Sequence, residues 1–336
     1  MPELPDLEVF KGNVYERLSS KKLVGVNVYH HQKVKATWGV LSEELKGREL
    51  VGVERFGKEL LFDFGGGKVV AVHLMLSGRI SILDKVNGGS DALGQIGFKV
   101  NGGSDALGQI GFKVNGGSDA SGQIGFKVNG GSDASGQIGF KVNGGSDASN
   151  QIGFKVNGES DALGQIKFKV FSMDFENEVI VFSDIGGLCT VRYKPVFGDA
   201  PDAFGEDFTL EYFLSVGKKR ARTNVKAFLI DQKVVKGIGN AYVDEILWEV
   251  RISPHSKVGK IPEEVQVELY RGIGKVLKEA VASIKKVAPD IISGEERSFL
   301  KVHTKKRKVT ETGFPIVVER IASKITYYTE EQVLYL

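Results

Sequence analysis

The sequence predicts an α+β fold in which a β-rich first half is followed by a helical second half and a closing β-hairpin. In the first half, apolar residues alternate with polar ones in short runs, which is typical of half-buried strands. From about Pro195 onward the apolar residues recur every three or four positions, as in amphipathic helices. The residues after Lys301 are again rich in β-branched and aromatic types. At 336 residues, the chain is long enough for two domains.

The first half contains four runs that predict strands. VERFGKELLFDF (53–64) and KVVAVHLMLSGRISIL (68–83) are two strand patterns separated by a Gly-rich turn. FKVFSMDF (168–175) and EVIVFSD (178–184) form a second pair around a short polar turn. These runs indicate a β domain.

A tandem repeat interrupts this β domain. From residue 87 to residue 170 the unit NGGSDALGQIGFKV recurs six times at a period of 14, with few changes. Each of the first five units carries one Asp and one Lys, so the array adds almost no charge and is not expected to bind nucleic acid. Two arrangements are open: an irregular loop expansion, or a β-solenoid in which each unit makes one full circuit and QIGFKV stacks on QIGFKV. Without five units, the connection would be an ordinary hairpin loop.

The second half contains one informative turn. In QKVVKGIGNAYVDEIL, Gly237 and Gly239 bracket a single residue, and Asn240 then begins a helical run. The backbone N–H groups at such a helix start favour a phosphate, and Lys233 just upstream adds positive charge. A G-x-G turn can equally serve turn geometry alone.

Composition excludes several classes of protein. The first thirty residues are interrupted by charges, so we expect no signal peptide, no membrane span and a cytoplasmic protein. Cys189 is the only cysteine, which excludes an internal disulfide and a cysteine-based zinc site. The formal net charge of +3 is too small to indicate a polyanionic partner by itself.

These motifs together resemble the formamidopyrimidine-DNA glycosylase and endonuclease VIII family. MPELPDLE resembles the family's terminal motif, RFGKELL and HLMLSG resemble two of its strands, and QKVVKGIGNAY resembles its helix-two-turn-helix. The resemblance implies an N-terminal β-sandwich preceded by a helix, with the repeats inserted in a strand-connecting loop. It also implies a C-terminal helix-two-turn-helix domain with a zincless β-hairpin finger. The expected domains are 1–195 (catalytic, containing the repeats of 87–170), 196–300 (helical) and 301–336 (finger).

The resemblance also implies a chemistry. With Met1 removed, Pro2 exposes a secondary amine that attacks C1′ of a damaged nucleotide and forms a Schiff base. Glu3 is the expected general acid, and Lys58 resembles a family lysine that contacts phosphate and the damaged site. The expected protein is a DNA repair glycosylase and abasic-site lyase without a cofactor or metal. It would act as a monomer on damaged double-stranded DNA, in the cytoplasm and associated with the nucleoid.

The finger departs from the family pattern. Cysteines normally hold zinc there, and other residues stand at those places: Val309, Thr312, Thr329 and Gln332. We therefore expect a zincless hairpin held by packing. Lys324 replaces a phosphate-binding arginine, which keeps the charge but loses the bidentate fork. With Asn240, Lys324 is expected to bind the DNA backbone.

The residues that would read the lesion also depart from the pattern. Leu76 stands at the position of a methionine that fills the gap left by an extruded base, and Gly186 and Leu188 replace an arginine and a phenylalanine. We therefore expect weak discrimination of the opposite base, with ring-opened purines, oxidised pyrimidines or abasic sites as substrates. The alternative function is a protein that binds abasic sites or DNA structures without efficient base excision.

Overall fold

The computed structural model describes residues 1–35, 38–85 and 166–336. Most of the repeat array, and with it the choice between a solenoid and an irregular loop, lies outside the described residues. The helices of the described part are α1 (Leu4–Leu18), α2 (Trp38–Leu45), α3 (Leu210–Lys219), α4 (Val225–Ile230), α5 (Asn240–Glu249) and α6 (Glu263–Val287).

The strands of the described part form three sheets. They are β1 (Leu23–Val28), β2 (Val34–Lys35), β3 (Gly52–Phe56), β4 (Glu59–Asp63), β5 (Val69–His73), β6 (Gly78–Asp84), β7 (Lys169–Phe175), β8 (Glu178–Asp184), β9 (Thr190–Tyr193), β10 (Val317–Ile321) and β11 (Lys324–Tyr328). One sheet has the order β2-β9-β5-β4-β3, a second has β1-β7-β8-β6, and β10 pairs with β11 alone.

The first two sheets pack face to face. Phe62 of β4 meets Phe182 of β8 edge to face, with ring centroids 5.6 Å apart, and neither side chain is exposed. Both belong to one large apolar core that also contains Phe10 of α1. The predicted β-sandwich preceded by a helix is therefore confirmed.

Helix α1 contributes to two cores. Its Leu7 and Phe10 pack in the core of the sandwich. Its first residue, Leu4, packs instead in the core of the helical second half, together with residues such as Tyr242 and Ile238. The start of the chain is thereby placed between the two halves.

Three details of the sequence interpretation were wrong. The run 53–64 is not one strand: a turn at Gly57, whose φ is +61°, divides it into β3 and β4 and places Lys58 in that turn. The run 68–83 is likewise divided into β5 and β6 by a turn that contains Met75, with φ of +57°. The strands on either side of the repeats, β6 and β7, do not form a hairpin because β8 lies between them.

The second half follows the predicted helical pattern. Helix α5 begins at Asn240, directly after Gly239, and the long apolar-periodic run near the end of this half forms α6. The hairpin of β10 and β11 follows. No helix of the described ranges is long and apolar enough to cross a membrane.

Candidate active site

Glu3 joins the start of the chain to the start of helix α5. Its carboxylate accepts hydrogen bonds from the main-chain N–H groups of Ala241 (3.0 Å) and Tyr242 (3.3 Å). These N–H groups lie in the first turn, where no partner exists within the helix, and the helix dipole there favours a negative charge. Glu3 is only 4% exposed. Its carboxylate is therefore held in one orientation.

The turn before α5 leaves no space for side chains. A Cβ on Gly239 would lie 2.2 Å from Cδ of Glu3, and one on Gly237 would lie 2.6 Å from Cδ1 of Leu4. Gly237 also has a φ of +102°, and its carbonyl accepts a hydrogen bond from the N–H of Leu4 (3.2 Å). The helix start therefore holds the protein's own carboxylate. The two glycines therefore seat the N-terminus, and a direct phosphate contact of Gly237 and Gly239 stays a prediction.

Lys58 faces Glu3 from the turn between β3 and β4. Burial lowers the pKa of Lys58; the Glu3 carboxylate opposes this effect, and the Lys324 ammonium adds to it. The turn itself is fixed because Gly57 N–H donates to Oδ2 of Asp202 at 2.6 Å. Glu3, Lys58 and Lys324 thus share one electrostatic environment, which we call the Glu3 cluster. The structure brings these three predicted residues together.

Asn240 ties this cluster to the terminal hairpin. Its Nδ2 donates to the carbonyl of Ile325 at 2.8 Å, next to Lys324 at the start of β11. The Oδ1 atom of Asn240 is buried and has no hydrogen-bond partner among the residues that the structure describes. The side chain of Lys324 is exposed. Asn240 therefore lies against the start of β11, which carries Lys324; binding of the DNA backbone by the two residues stays a prediction.

A buried ion pair beneath Asn240 was not predicted. Nζ of Lys226 lies 2.7 Å from Oδ1 of Asp244 and 2.7 Å from Oγ1 of Thr326, and neither charged side chain is exposed. Burial lowers the pKa of Lys226, and Asp244 opposes the shift. Oδ2 of Asp244 accepts from the N–H of Tyr327 and lies 2.7 Å from Nδ1 of His303. This network fastens the hairpin to helices α4 and α5. In the sequence, only the presence of one lysine in the apolar run VKAFLI indicated a buried charge at this place.

His73 is a second site residue that the sequence interpretation missed. It pairs across β4 and β5 with Glu59, which directly follows Lys58 in the chain. Burial lowers the pKa of His73, with the charge of Lys58 adding to the effect. Its Nδ1 accepts a hydrogen bond from the N–H of Met75 at 3.0 Å, so the ring proton resides on Nε2. A neutral His73 therefore keeps its Nε2 proton as a hydrogen-bond donor.

Two loops present apolar side chains to solvent. Leu76 is 67% exposed, and Leu188 is 39% exposed. Ile185, which the sequence interpretation did not single out, is 72% exposed. The loops are joined because the carboxylate of Asp184 accepts from the hydroxyl of Ser77 and also from N–H groups of its own turn. This pair of loops is therefore a preformed apolar edge.

Pro2 and Lys233 have different surroundings. Pro2 is buried directly before Glu3, within reach of the Glu3 cluster. Lys233 is exposed in the turn after α4, where its N–H donates to Asp231 at 2.9 Å. The described contacts do not bring Lys233 to Glu3 or Lys58.

The end of the hairpin is held by a polar network, not by packing alone as expected. Oε1 of Glu331 accepts from the hydroxyls of Thr312 (2.8 Å) and Thr329 (3.1 Å) and from the indole of Trp248 (2.8 Å). Gln332 donates to a carbonyl of the helical half, while Val309, the other expected position, is half exposed and stays outside the network. Among the described residues, no group of three or more His, Cys, Asp or Glu side chains could hold a metal.

Two family models match the chain. Residues 1–106 match the N-terminal domain of formamidopyrimidine-DNA glycosylase, and residues 200–289 match its helix-two-turn-helix domain. Both matched regions meet at Glu3 and the turn before α5. The chain belongs to the formamidopyrimidine-DNA glycosylase family.

Relatives of this family align along nearly the whole chain or along a shorter segment of it. The formamidopyrimidine-DNA glycosylase of Carboxydothermus hydrogenoformans is 25% identical over 98% of both chains. That of Lactobacillus helveticus is 47% identical over 75 residues, which is 22% of this chain and 27% of the relative. Among solved structures, the Lactococcus lactis enzyme bound non-covalently to DNA with an abasic site aligns over 98% of both chains with a TM-score of 0.66 and 18% identity. The structural likeness concerns the fold.

Proposed function

We propose that this protein is a DNA glycosylase with abasic-site lyase activity that excises oxidised or ring-opened bases. The observation that carries the proposal is the seating of Glu3 on the first turn of α5, beside Lys58 and directly after Pro2. Family membership supports the same activity, since the relatives carry the name formamidopyrimidine-DNA glycosylase.

In the proposed reaction, Pro2 is the nucleophile once Met1 has been removed. Its secondary amine attacks C1′ and displaces the base, leaving a covalent iminium that acidifies the C2′ proton and permits strand scission. Glu3, adjacent along the chain, delivers a proton to the leaving base or to the sugar oxygen. Its two hydrogen bonds to α5 hold the carboxylate in place for this transfer.

The surrounding groups are proposed to hold the DNA backbone. Burial disfavours the charged form of Lys58, and a DNA phosphate bound beside the ammonium would stabilise that charged form. Asn240 and Lys324 present an amide and an ammonium next to each other, and His73 presents a neutral N–H. Lys233 is exposed in the turn that precedes Asn240, and we propose that it contacts a phosphate away from the Glu3 cluster. The protein would act as a monomer on nucleoid DNA.

The apolar edge is proposed to enter the space left by an extruded base. Leu76 and Leu188 can stack on base faces, but their side chains offer no hydrogen bond to a base edge. Gly186, in the same turn, offers no side chain. We therefore expect weak discrimination of the opposite base, with ring-opened purines, oxidised pyrimidines and abasic sites as substrates.

Borohydride trapping tests the proposed function. The processed protein is incubated with reductant and a duplex that contains an abasic site or an oxidised base, and covalent adducts are counted on a denaturing gel. We expect an adduct with the wild type and none with Pro2→Gly or with an N-terminal extension, while the dissociation constants stay within a few-fold. Tight binding without any wild-type adduct would favour the alternative, a binding protein of the same fold.

A further inference from the structure

The segment that connects α6 to the hairpin (residues 288–300, the connecting segment) is fastened to the first half of the chain. Nδ2 of Asn13 donates to the carbonyl of Pro289 at 2.7 Å. The hydroxyl of Ser293 accepts from the N–H of Ile80 at 3.0 Å. The segment therefore follows a fixed path past the start of α1.

A buried ion pair strengthens this attachment. Arg297 donates to both carboxylate oxygens of Asp6 at 2.7 Å, and its guanidinium lies 4.9 Å from the ring centroid of Tyr242. Asp6 is fully buried and also accepts from the N–H of Glu3 at 2.8 Å. The connecting segment is thus locked to the same helix start that positions Glu3.

Glu295 lies two residues before Arg297 and meets the terminal amine. Its carboxylate forms an ion pair with the amino group of Met1, and its other oxygen lies 3.8 Å from Arg297. Burial alone would raise the pKa of Glu295, but the amine and Arg297 hold it below its usual range, with Arg79 contributing. The side chain of Glu295 is 35% exposed, so it retains room to move.

We propose that Glu295 accepts the proton that the Pro2 amine must lose during formation of the iminium. This inference rests on the proposed function. Removal of Met1 moves the terminal amine back by one residue, about 3.8 Å along a trans peptide. A glutamate side chain, with three rotatable bonds and the space vacated by Met1, spans that distance. Asp6 and Arg297 keep the backbone of Glu295 in place.

The proton balance requires such a group. When the nitrogen of Pro2 bonds to C1′, the electron pair of the glycosidic bond leaves with the base, which takes the proton of a neutral Glu3 carboxyl; Glu3 regains a proton from solvent before the next turnover. The nitrogen then carries a positive charge and one remaining proton, which Glu295 removes. The freed lone pair closes the C=N bond as the C1′–O4′ bond breaks, and the proton passes to O4′. Glu295 ends ionised, as it began. At an abasic aldehyde the same proton must leave the attacking amine.

The charged groups around the amine determine the pH dependence. Glu295, which pairs with the amine, favours its protonated form, whereas Arg297 and Arg79, which act on the same carboxylate, disfavour it. Loss of the Glu295 charge therefore moves the acid limb of the rate profile to lower pH. Loss of the acceptor slows the reaction on the alkaline plateau, where the amine is already neutral. At acidic pH the shifted limb raises the rate and the missing acceptor lowers it, whereas on the plateau only the lower rate remains. A merely structural role of Glu295 would not produce this combination.

Single-turnover trapping on a duplex with one abasic site tests the proposal. Rates of adduct formation with cyanoborohydride are measured from pH 5.5 to 9 for the processed wild type, Glu295→Gln and the matched control Glu296→Gln. Glu296 lies on the same segment, and its carboxylate accepts from groups of Ser298 and from the main chain of Arg297 nearby. Mass spectrometry establishes that Met1 is absent from each protein.

For Glu295→Gln we expect a plateau rate at least about tenfold lower, in the range of acid–base contributions. We also expect an acid limb shifted to lower pH and an unchanged dissociation constant, with Glu296→Gln equal to the wild type. A wild-type rate and limb in Glu295→Gln would overturn the proposal. If Glu295→Gln melts at a lower temperature, Glu295→Asp is measured in its place. A wild-type acid limb with a reduced plateau rate in Glu295→Asp supports the proposal, and an unchanged plateau rate overturns it. Absence of a wild-type adduct would instead refute the proposed function.

Discussion

Gly239→Ala should uncouple Glu3 from helix α5. The new Cβ would lie 2.2 Å from Cδ of Glu3, whereas unbonded carbon atoms settle at about 3.5 Å or more. The carboxylate must therefore move by about 1 Å, away from the N–H groups of Ala241 and Tyr242. A displacement of about 1 Å at a catalytic group can cost on the order of 100-fold in rate. The backbone conformation itself, with φ of −125°, accepts alanine without strain.

The assay is single-turnover cleavage of a duplex that contains an oxidised base, with the dissociation constant measured in parallel. The rate should fall by about 100-fold while affinity changes little, and loss of the two hydrogen bonds should lower stability by about 1 to 3 kcal/mol. Gly274→Ala is the control, because the space around that helical glycine is open and alanine stabilises a helix by up to about 1 kcal/mol. In the double variant with Glu3→Gln, the Gly239→Ala effect should largely vanish. A folded Gly239→Ala protein with a wild-type rate would refute this reasoning.

Four further perturbations test other parts of the molecule. Lys226→Met leaves Asp244 buried without its partner and should lower the free energy of unfolding, measured in urea, by about 3 to 5 kcal/mol. An unchanged free energy of unfolding would show that the ion pair does not stabilise the fold. Glu331→Gln should lower the free energy of unfolding by about 1 to 3 kcal/mol and with it the melting temperature. An unchanged melting temperature would show that the hydrogen bonds to this carboxylate do not stabilise the hairpin. Lys324→Ala should weaken binding to all duplexes and reduce the salt slope by about 1, whereas a loss confined to one lesion would contradict a phosphate contact. Deletion of residues 87–156 should leave lyase activity and affinity nearly unchanged, and a large loss in a folded deletion protein would place the repeats at the site.

Local patterns predicted the elements that carry the site. Asn240 at the start of a helix follows from the Gly-x-Gly turn and the apolar spacing after it, and the structure begins α5 at that residue. The sequence left phosphate binding and simple turn geometry open for this turn. It contains no information that Glu3, more than 230 positions earlier, accepts hydrogen bonds from the N–H groups of the helix start. Long-range partners of this kind depend on how the two halves pack.

The missed features have the same origin. Lys226 lies in an apolar helical run, and nothing near it in the chain reveals that Asp244 and the hairpin enclose its ammonium. The network around Glu331 includes Trp248, which is 83 positions away. The incorrect hairpin between β6 and β7 reflects the order of strands in a sheet, which alternation of apolar residues does not determine.

The position of Leu4 bears on when the N-terminus can be processed. Leu4 packs among residues of the second half, so its docking must wait until that half has been synthesised. In the folded protein Pro2 is buried and the amine of Met1 is paired with Glu295. An aminopeptidase therefore has its best access while the chain is still nascent on the ribosome, before the N-terminus is buried. A chain that folds first would keep Met1 and carry the proposed nucleophile, Pro2, as an unreactive amide.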